Sequence, residues 1–156
     1  MFAGASALAQ DYQLHTVYMY SFMRYIQWPD NEVSEPFTIG VIGETPLLES
    51  LEKLAETKKN GRRDIVVKQF KSVQEMTDCK MLFVPKEASN KLPEILTKVG
   101  KKSILVMTEA EGKGVEGSNI NFVYRNGKLA FELNRSAMER GNLKVSTELA
   151  RLAILI

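Results

Sequence analysis

The sequence predicts an α/β fold of one domain: a mixed, mostly parallel sheet with a C-terminal antiparallel hairpin and helices on both faces, a three-layer αβα arrangement. Three observations carry it. Short β-branched runs alternate with helical segments between Phe37 and Thr108, the rhythm of a parallel sheet built by crossover connections. That rhythm then gives way to two strands around Arg125-Asn126-Gly127, a tight-turn sequence. A length of 156 residues with 44% apolar content suits a single domain with a sizeable core.

The elements follow in order. Residues 1–9, small and apolar, end in Ala7-Leu8-Ala9 before the chain turns polar at Gln10 and Asp11. Small side chains at that spacing mark the end of a secretory signal, so residues 1–9 are expected to be its remnant and 10–156 the domain. Tyr12 to Trp28 holds no glycine or proline and reads as a helix stopped by Pro29. Phe37 to Ile42 is a buried strand, Gly43-Glu44 a turn, and Thr45 a cap for a helix starting at Pro46. Leu47, Leu48, Leu51 and Leu54 share one side of that helix, which suits packing on a sheet. Asp64 to Phe70 is the next strand, Ser72 opens a short helical segment, and Lys80 to Val84 is the third strand. Asn90 to Val99 is a helix that tolerates Pro93 in its first turn and stops at Gly100. Ser103 to Thr108 is the fourth strand, and Glu109 to Ser118 a flexible loop. In the hairpin, Leu129, Phe131 and Leu133 point one way, with Ala130, Glu132 and Asn134 opposite. Ser136 to Arg140 and the stretch from Ser146 to the C-terminus are the remaining helices.

Charge and composition exclude several classes. A net charge of +2 with scattered Lys and Arg argues against a nucleic-acid binder. The basic run Lys58, Lys59, Arg62 and Arg63 flanks Asn60-Gly61 and reads as a solvated turn. No apolar run reaches the length of about 20 residues that a membrane span needs. One cysteine, Cys79, forms no disulfide within the chain and reads as a small buried thiol before an apolar strand. One histidine, His15, far from that cysteine gives neither a zinc site nor a triad, and it reads as a surface or interfacial residue. Glu109 and Glu111 read as solvated loop charge. The junction IGVIGETP has the position of an anion site in α/β proteins but lacks their glycine spacing, so a tight turn is the plainer reading. No catalytic group, metal or cofactor is expected, and the chain reads as no enzyme.

The opening helix is the richest signal. Leu14, Val17, Tyr18, Ser21, Phe22, Tyr25 and Trp28 fall on one broad face that docks on a sheet, while Met19, Met23 and Ile26 project from the other side. A helix apolar nearly all round is covered on both sides, used as an interface, or part of a ligand pocket.

A signal end precedes a helix closing in RYIQWP, then FTIGVIG, NGRRDIVV, DCKMLFV, SILVMT, INFVYRNGKLAFELN and GNLKVSTELARLA follow. In this order the pieces resemble the YfiR/HmsC family of periplasmic proteins. The resemblance implies a non-enzymatic periplasmic regulator that binds and represses an inner-membrane signalling protein of the diguanylate cyclase type, lowering cyclic-di-GMP and biofilm formation. Some members use disulfides to set their active state, a route that one cysteine does not provide. Such a regulator needs an exposed apolar patch with polar anchors. The expected contact residues are Trp28, Tyr25 and Met23 on the helix, Glu132 and Asn134 on the hairpin, and Met138 beside them. Glu132 reads equally as a solvated strand position, and Met138 equally as core. A homodimer is a further expected partner. The alternative is a periplasmic small-molecule-binding sensor, with its pocket at the strand ends near Gly43, Pro85 and the Glu109–Ser118 loop.

Overall fold

A computed structural model describes residues 2–29 and 35–156, with side chains described from Tyr12 onward. The expected signal remnant at 1–9 therefore lies outside the described side chains. Helix α1 (Phe2–Tyr25) opens the chain and passes directly into the two-residue strand β1 (Ile26–Gln27). Next come β2 (Phe37–Ile42), α2 (Leu47–Thr57), β3 (Lys59–Asn60) and β4 (Arg63–Phe70). Then β5 (Met81–Phe83), a 3-10 turn (Lys86–Lys91), α3 (Leu92–Val99) and β6 (Leu105–Thr108) complete the alternating part. The hairpin β7 (Ile120–Arg125) and β8 (Lys128–Leu133) is followed by α4 (Arg135–Arg140), β9 (Lys144–Val145), α5 (Thr147–Leu152) and β10 (Ile154–Leu155).

Eight strands form one sheet in the order β10-β8-β7-β6-β5-β2-β4-β3. The central run from β4 to β7 is parallel, and β8 returns antiparallel to β7 across Asn126-Gly127, both at positive φ as the tight hairpin turn requires. The three-layer αβα expectation holds. On one face, Phe37, Ile39, Val41, Met81, Phe83, Leu105, Met107, Phe122 and Phe131 meet α1 and α2. On the other, Ile42, Phe70, Leu82, Val84 and Val106 meet α3 through Leu92, Ile95 and Val99. Alternate residues of one strand thus feed opposite cores, and the central strands are apolar on both faces. Gly40 is glycine for this reason: a Cβ there would lie 2.5 Å from the Phe70 ring and 3.1 Å from the Cys79 sulfur.

Four boundary expectations need correction. The first helix stops at Tyr25, not Trp28, because the next two residues leave it to pair Ile26 with Val145 and Gln27 with Lys144 in a separate ribbon. The segment after Ser72 makes hydrogen-bonded turns instead of a helix. The C-terminal helix is short, since Ile154 and Leu155 pair in parallel with Glu132 and Leu133 at the sheet edge. Thr45 accepts the Leu47 N–H at 3.2 Å, but the cap position itself falls at Pro46.

The buried face of α1 is also rotated from the expected one. His15, Thr16, Met19, Phe22 and Met23 are buried, with Ile26 continuing the row, while Leu14 and Val17 are 55% and 61% exposed. The helical projection that grouped Leu14, Val17, Tyr18, Ser21, Phe22, Tyr25 and Trp28 misplaced the docking face. The i, i+3, i+4 spacing of 15, 19, 22, 23 and 26 is the one the sheet selects. Phe22 meets Phe131 edge-on at 5.0 Å, and Tyr18 meets Phe131 at 5.3 Å.

Candidate functional site

The connections of the central sheet part between β2 and β5. From β2 the chain goes to β4 through α2, on the first face; from β5 it goes to β6 through α3, on the second. In open α/β sheets, ligand sites favour the crevice beyond the carboxyl ends of the strands at such a point. Here Tyr12 of α1 reaches that rim. Its hydroxyl contacts both oxygens of the Glu109 carboxylate, at 2.9 and 3.1 Å. Glu109 follows the last residue of β6, and its Oε2 also accepts the backbone N–H of Lys86, beyond β5, at 2.9 Å. The Thr45 side chain, beyond β2, acts on the same tyrosine hydroxyl and pulls it down against the burial.

Beside this junction lies a cleft of about 330 Å³ lined by Tyr12, His15, Lys86, Glu109, Phe122 and Tyr124. His15 corrects the surface expectation: it is 3% exposed, with ring centres 4.8 Å from Tyr12 and 4.6 Å from Phe122. Glu109 is half-buried, not solvated. Burial, first, and the nearby Glu87 charge push its carboxyl above the ordinary value, against the opposing pull of the Lys86 N–H and the Tyr12 hydroxyl. Burial and then the Glu109 charge raise the Tyr12 hydroxyl in turn. No ion pair reaches Glu109 among the described salt bridges, whereas Glu111 pairs with Arg125 at 2.9 Å. Of the pocket expected near Gly43, Pro85 and the Glu109–Ser118 loop, the cleft takes only Glu109, Ala110 and Glu111, with Lys86 beside Pro85, and neither Gly43 nor Pro85 lines it.

The expected contact residues divide three ways. Trp28, Met23 and Met138 have buried side chains, 4%, 4% and 3% exposed. Trp28 meets Phe37 edge-on at 5.2 Å and donates its indole N–H to the Lys80 carbonyl at 3.1 Å, so it serves as a core anchor here. Leaving the helix at Tyr25 turns the Trp28 ring inward, which a helical projection misses. Glu132 and Asn134 are half-buried, and Asn134 holds the loop 109–118. Glu132 accepts the Asn121 amide at 3.0 Å and faces Arg125 at 3.8 Å. Asn134 donates to the Gly114 carbonyl at 2.8 Å and caps α4 by accepting the Ala137 N–H at 3.0 Å. Behind Glu132, Thr108 sits 2.7 Å from both Ser118 and Asn121 in a buried polar row. The loop expected to be flexible is therefore tied at both ends.

Tyr25 alone of the six is exposed, at 39%, with the Arg24 guanidinium 5.7 Å from its ring centre. It extends an outward apolar stripe through Leu14 and Val17, residues assigned to the docking face by sequence and facing outward in the fold. Among the described residues no group of three or more His, Cys, Asp or Glu could hold a metal ion. No helix among them is long and apolar enough to cross a membrane.

No curated protein matches this chain. A family profile does, over residues 12–154, from the tyrosine of the crevice to the edge strand β10. The chain belongs to the YfiR/HmsC-like family.

Proposed function

We propose that this protein is a periplasmic regulator, not an enzyme, that binds the periplasmic sensor region of an inner-membrane signalling protein of the diguanylate cyclase type and restrains it. Cyclic-di-GMP output and biofilm formation fall as a result. The observation that carries the reading is the outward stripe Leu14, Val17 and Tyr25 on a helix whose opposite face is fixed in the core. Family membership supplies the context. An apolar row on a rigid helix gives a partner both area and a fixed register, and an aromatic at one end suits the centre of an interface. A homodimer through the same row is a competing use of it. Residues 1–9 fit the tail of an export signal, consistent with action outside the cytoplasm.

The test is Leu14→Ser with Val17→Ser, in cells carrying a membrane cyclase with a periplasmic sensor region encoded beside this chain. Cyclic-di-GMP should rise to the level of cells lacking the regulator while the variant stays folded by circular dichroism. Unchanged repression by a folded, exported variant sinks the assignment of this stripe. A second reading, a small-molecule-binding sensor, is favoured by the cleft at Tyr12 and Glu109.

A further inference from the structure

We infer that the cleft between α1 and the carboxyl ends of β5, β6 and β7 is a binding site for a small organic ammonium, an aromatic amine in particular. The assignment names a ligand class for the small-molecule reading and needs no protein partner for α1.

Three features of the cleft agree. It adjoins the switch point between β2 and β5, displaced toward the ends of β6 and β7, and α1 forms its far wall. Aromatic residues border it: Tyr12, His15, Phe122 and Tyr124 line a space of about 330 Å³, the lower end of small-ligand sites, with His15 and Phe122 nearly buried in its floor. At one side stands the Glu109 carboxylate, half-buried and held by two hydrogen-bond donors without a salt-bridge partner among the described ion pairs. A carboxylate removed from water without a cation is costly, and an incoming ammonium would offset that cost directly. Ring faces attract the same charge. An anion finds the reverse. The Lys86 N–H that lines the rim is already committed to Glu109, and the Glu111 carboxylate at the mouth is offset by Arg125. The exposed Lys86 ammonium acts on Glu109 from the edge without forming an ion pair with it, and Arg125 is paired with Glu111 at 2.9 Å.

The experiment is an amide NMR titration of the whole chain with phenethylamine, beside 2-phenylethanol and phenylacetate as neutral and anionic probes of similar shape. Phenethylamine should bind saturably and shift the amides of Lys86, Ala110 and Val123, with the other two at least about tenfold weaker. Glu109→Gln should reduce the phenethylamine preference by roughly the same tenfold. Should that variant fail to fold, the three probes and the amide map on the unaltered chain decide alone. No saturable shift up to roughly 10 mM overturns the site, as does a map centred elsewhere. Equal binding of the alcohol, or a preference that survives Glu109→Gln, overturns the cationic class. Saturable phenylacetate binding in the cleft would overturn that class while leaving a ligand site in place.

Discussion

Replacing Trp28 with alanine separates a core anchor from a contact anchor. The indole is 4% exposed, packs edge-on against Phe37 at 5.2 Å and donates to the Lys80 carbonyl at 3.1 Å. Emptying a site of that size costs about 3–5 kcal/mol. The Lys80 carbonyl keeps the Leu105 N–H at 2.9 Å, so no acceptor is orphaned and little is added for the lost bond. In a domain of this length each kcal/mol lowers Tm by roughly 2–4 °C, which places the fall at roughly 6–20 °C. Trp28→Phe keeps a ring in the site and loses the indole hydrogen bond, for a cost of about 1–2 kcal/mol. Leu14→Ser and Val17→Ser, both at exposed positions, should stay within about 0.5 kcal/mol of the parent. Urea unfolding followed by circular dichroism is the right assay, because Trp28 is the single tryptophan and fluorescence vanishes with it. A Trp28→Ala protein within about 1 kcal/mol of the parent would refute the packing argument, and a larger loss from Val17→Ser than from Trp28→Ala would invert it.

Three further outcomes follow from the same geometry. Gly40→Ala forces a methyl to 2.5 Å from the Phe70 ring in the central strand and should cost about 1–3 kcal/mol in a urea titration, and an unchanged midpoint refutes that contact. The Cys79 thiol, pushed up to about 12 chiefly by burial, holds on the order of a thousandfold less thiolate at neutral pH than a free thiol. Its labelling by a disulfide reagent should be slow in buffer and fast in urea, and equal rates would show an open site. Glu109 has a raised carboxyl, so its protonated form is the one the fold favours: that contribution is present below the ordinary value of 4.5 and is lost as pH rises through the folded value. Glu109→Gln should therefore gain Tm relative to the parent between about pH 4 and pH 7, and a gap that narrows over that range contradicts the sign.

Most of the sheet was legible because its residues obey one rule locally and globally. Phe37–Ile42, Met81–Phe83 and Leu105–Thr108 are short, mostly apolar runs buried on both sides, and the pattern of Leu129, Phe131 and Leu133 fixes the hairpin register. The misreadings arose where a partner distant in sequence decided the outcome. Ile26 leaves the helix for Val145, and Ile154 leaves it for Glu132, pairings that no local window contains. The candidate cleft was legible in part, from strand-end loops. Its chemistry was not, because Glu109 is a loop charge in sequence and becomes half-buried only when Tyr12, 97 positions earlier, covers it. The signal available was the row His15, Met19, Phe22, Met23 and Ile26, whose spacing carries Tyr12 toward the sheet one turn earlier.

The ribbon of Ile26 with Val145, continued by the Ser146 N–H on the Tyr25 carbonyl at 2.9 Å, ties the first helix to nearly the last residues of the chain. Helix α1 also needs Phe122, Phe131 and Leu149 to complete its cover, although α2 meets part of it sooner. A chain made from its N-terminus thus carries Met19, Phe22 and Met23 uncovered through most of its synthesis, and the interval is set by sequence separation instead of strength of contact. Helix α1 is made before the strands and helices that cover it, so the nascent chain offers chaperones a long-lived apolar helix.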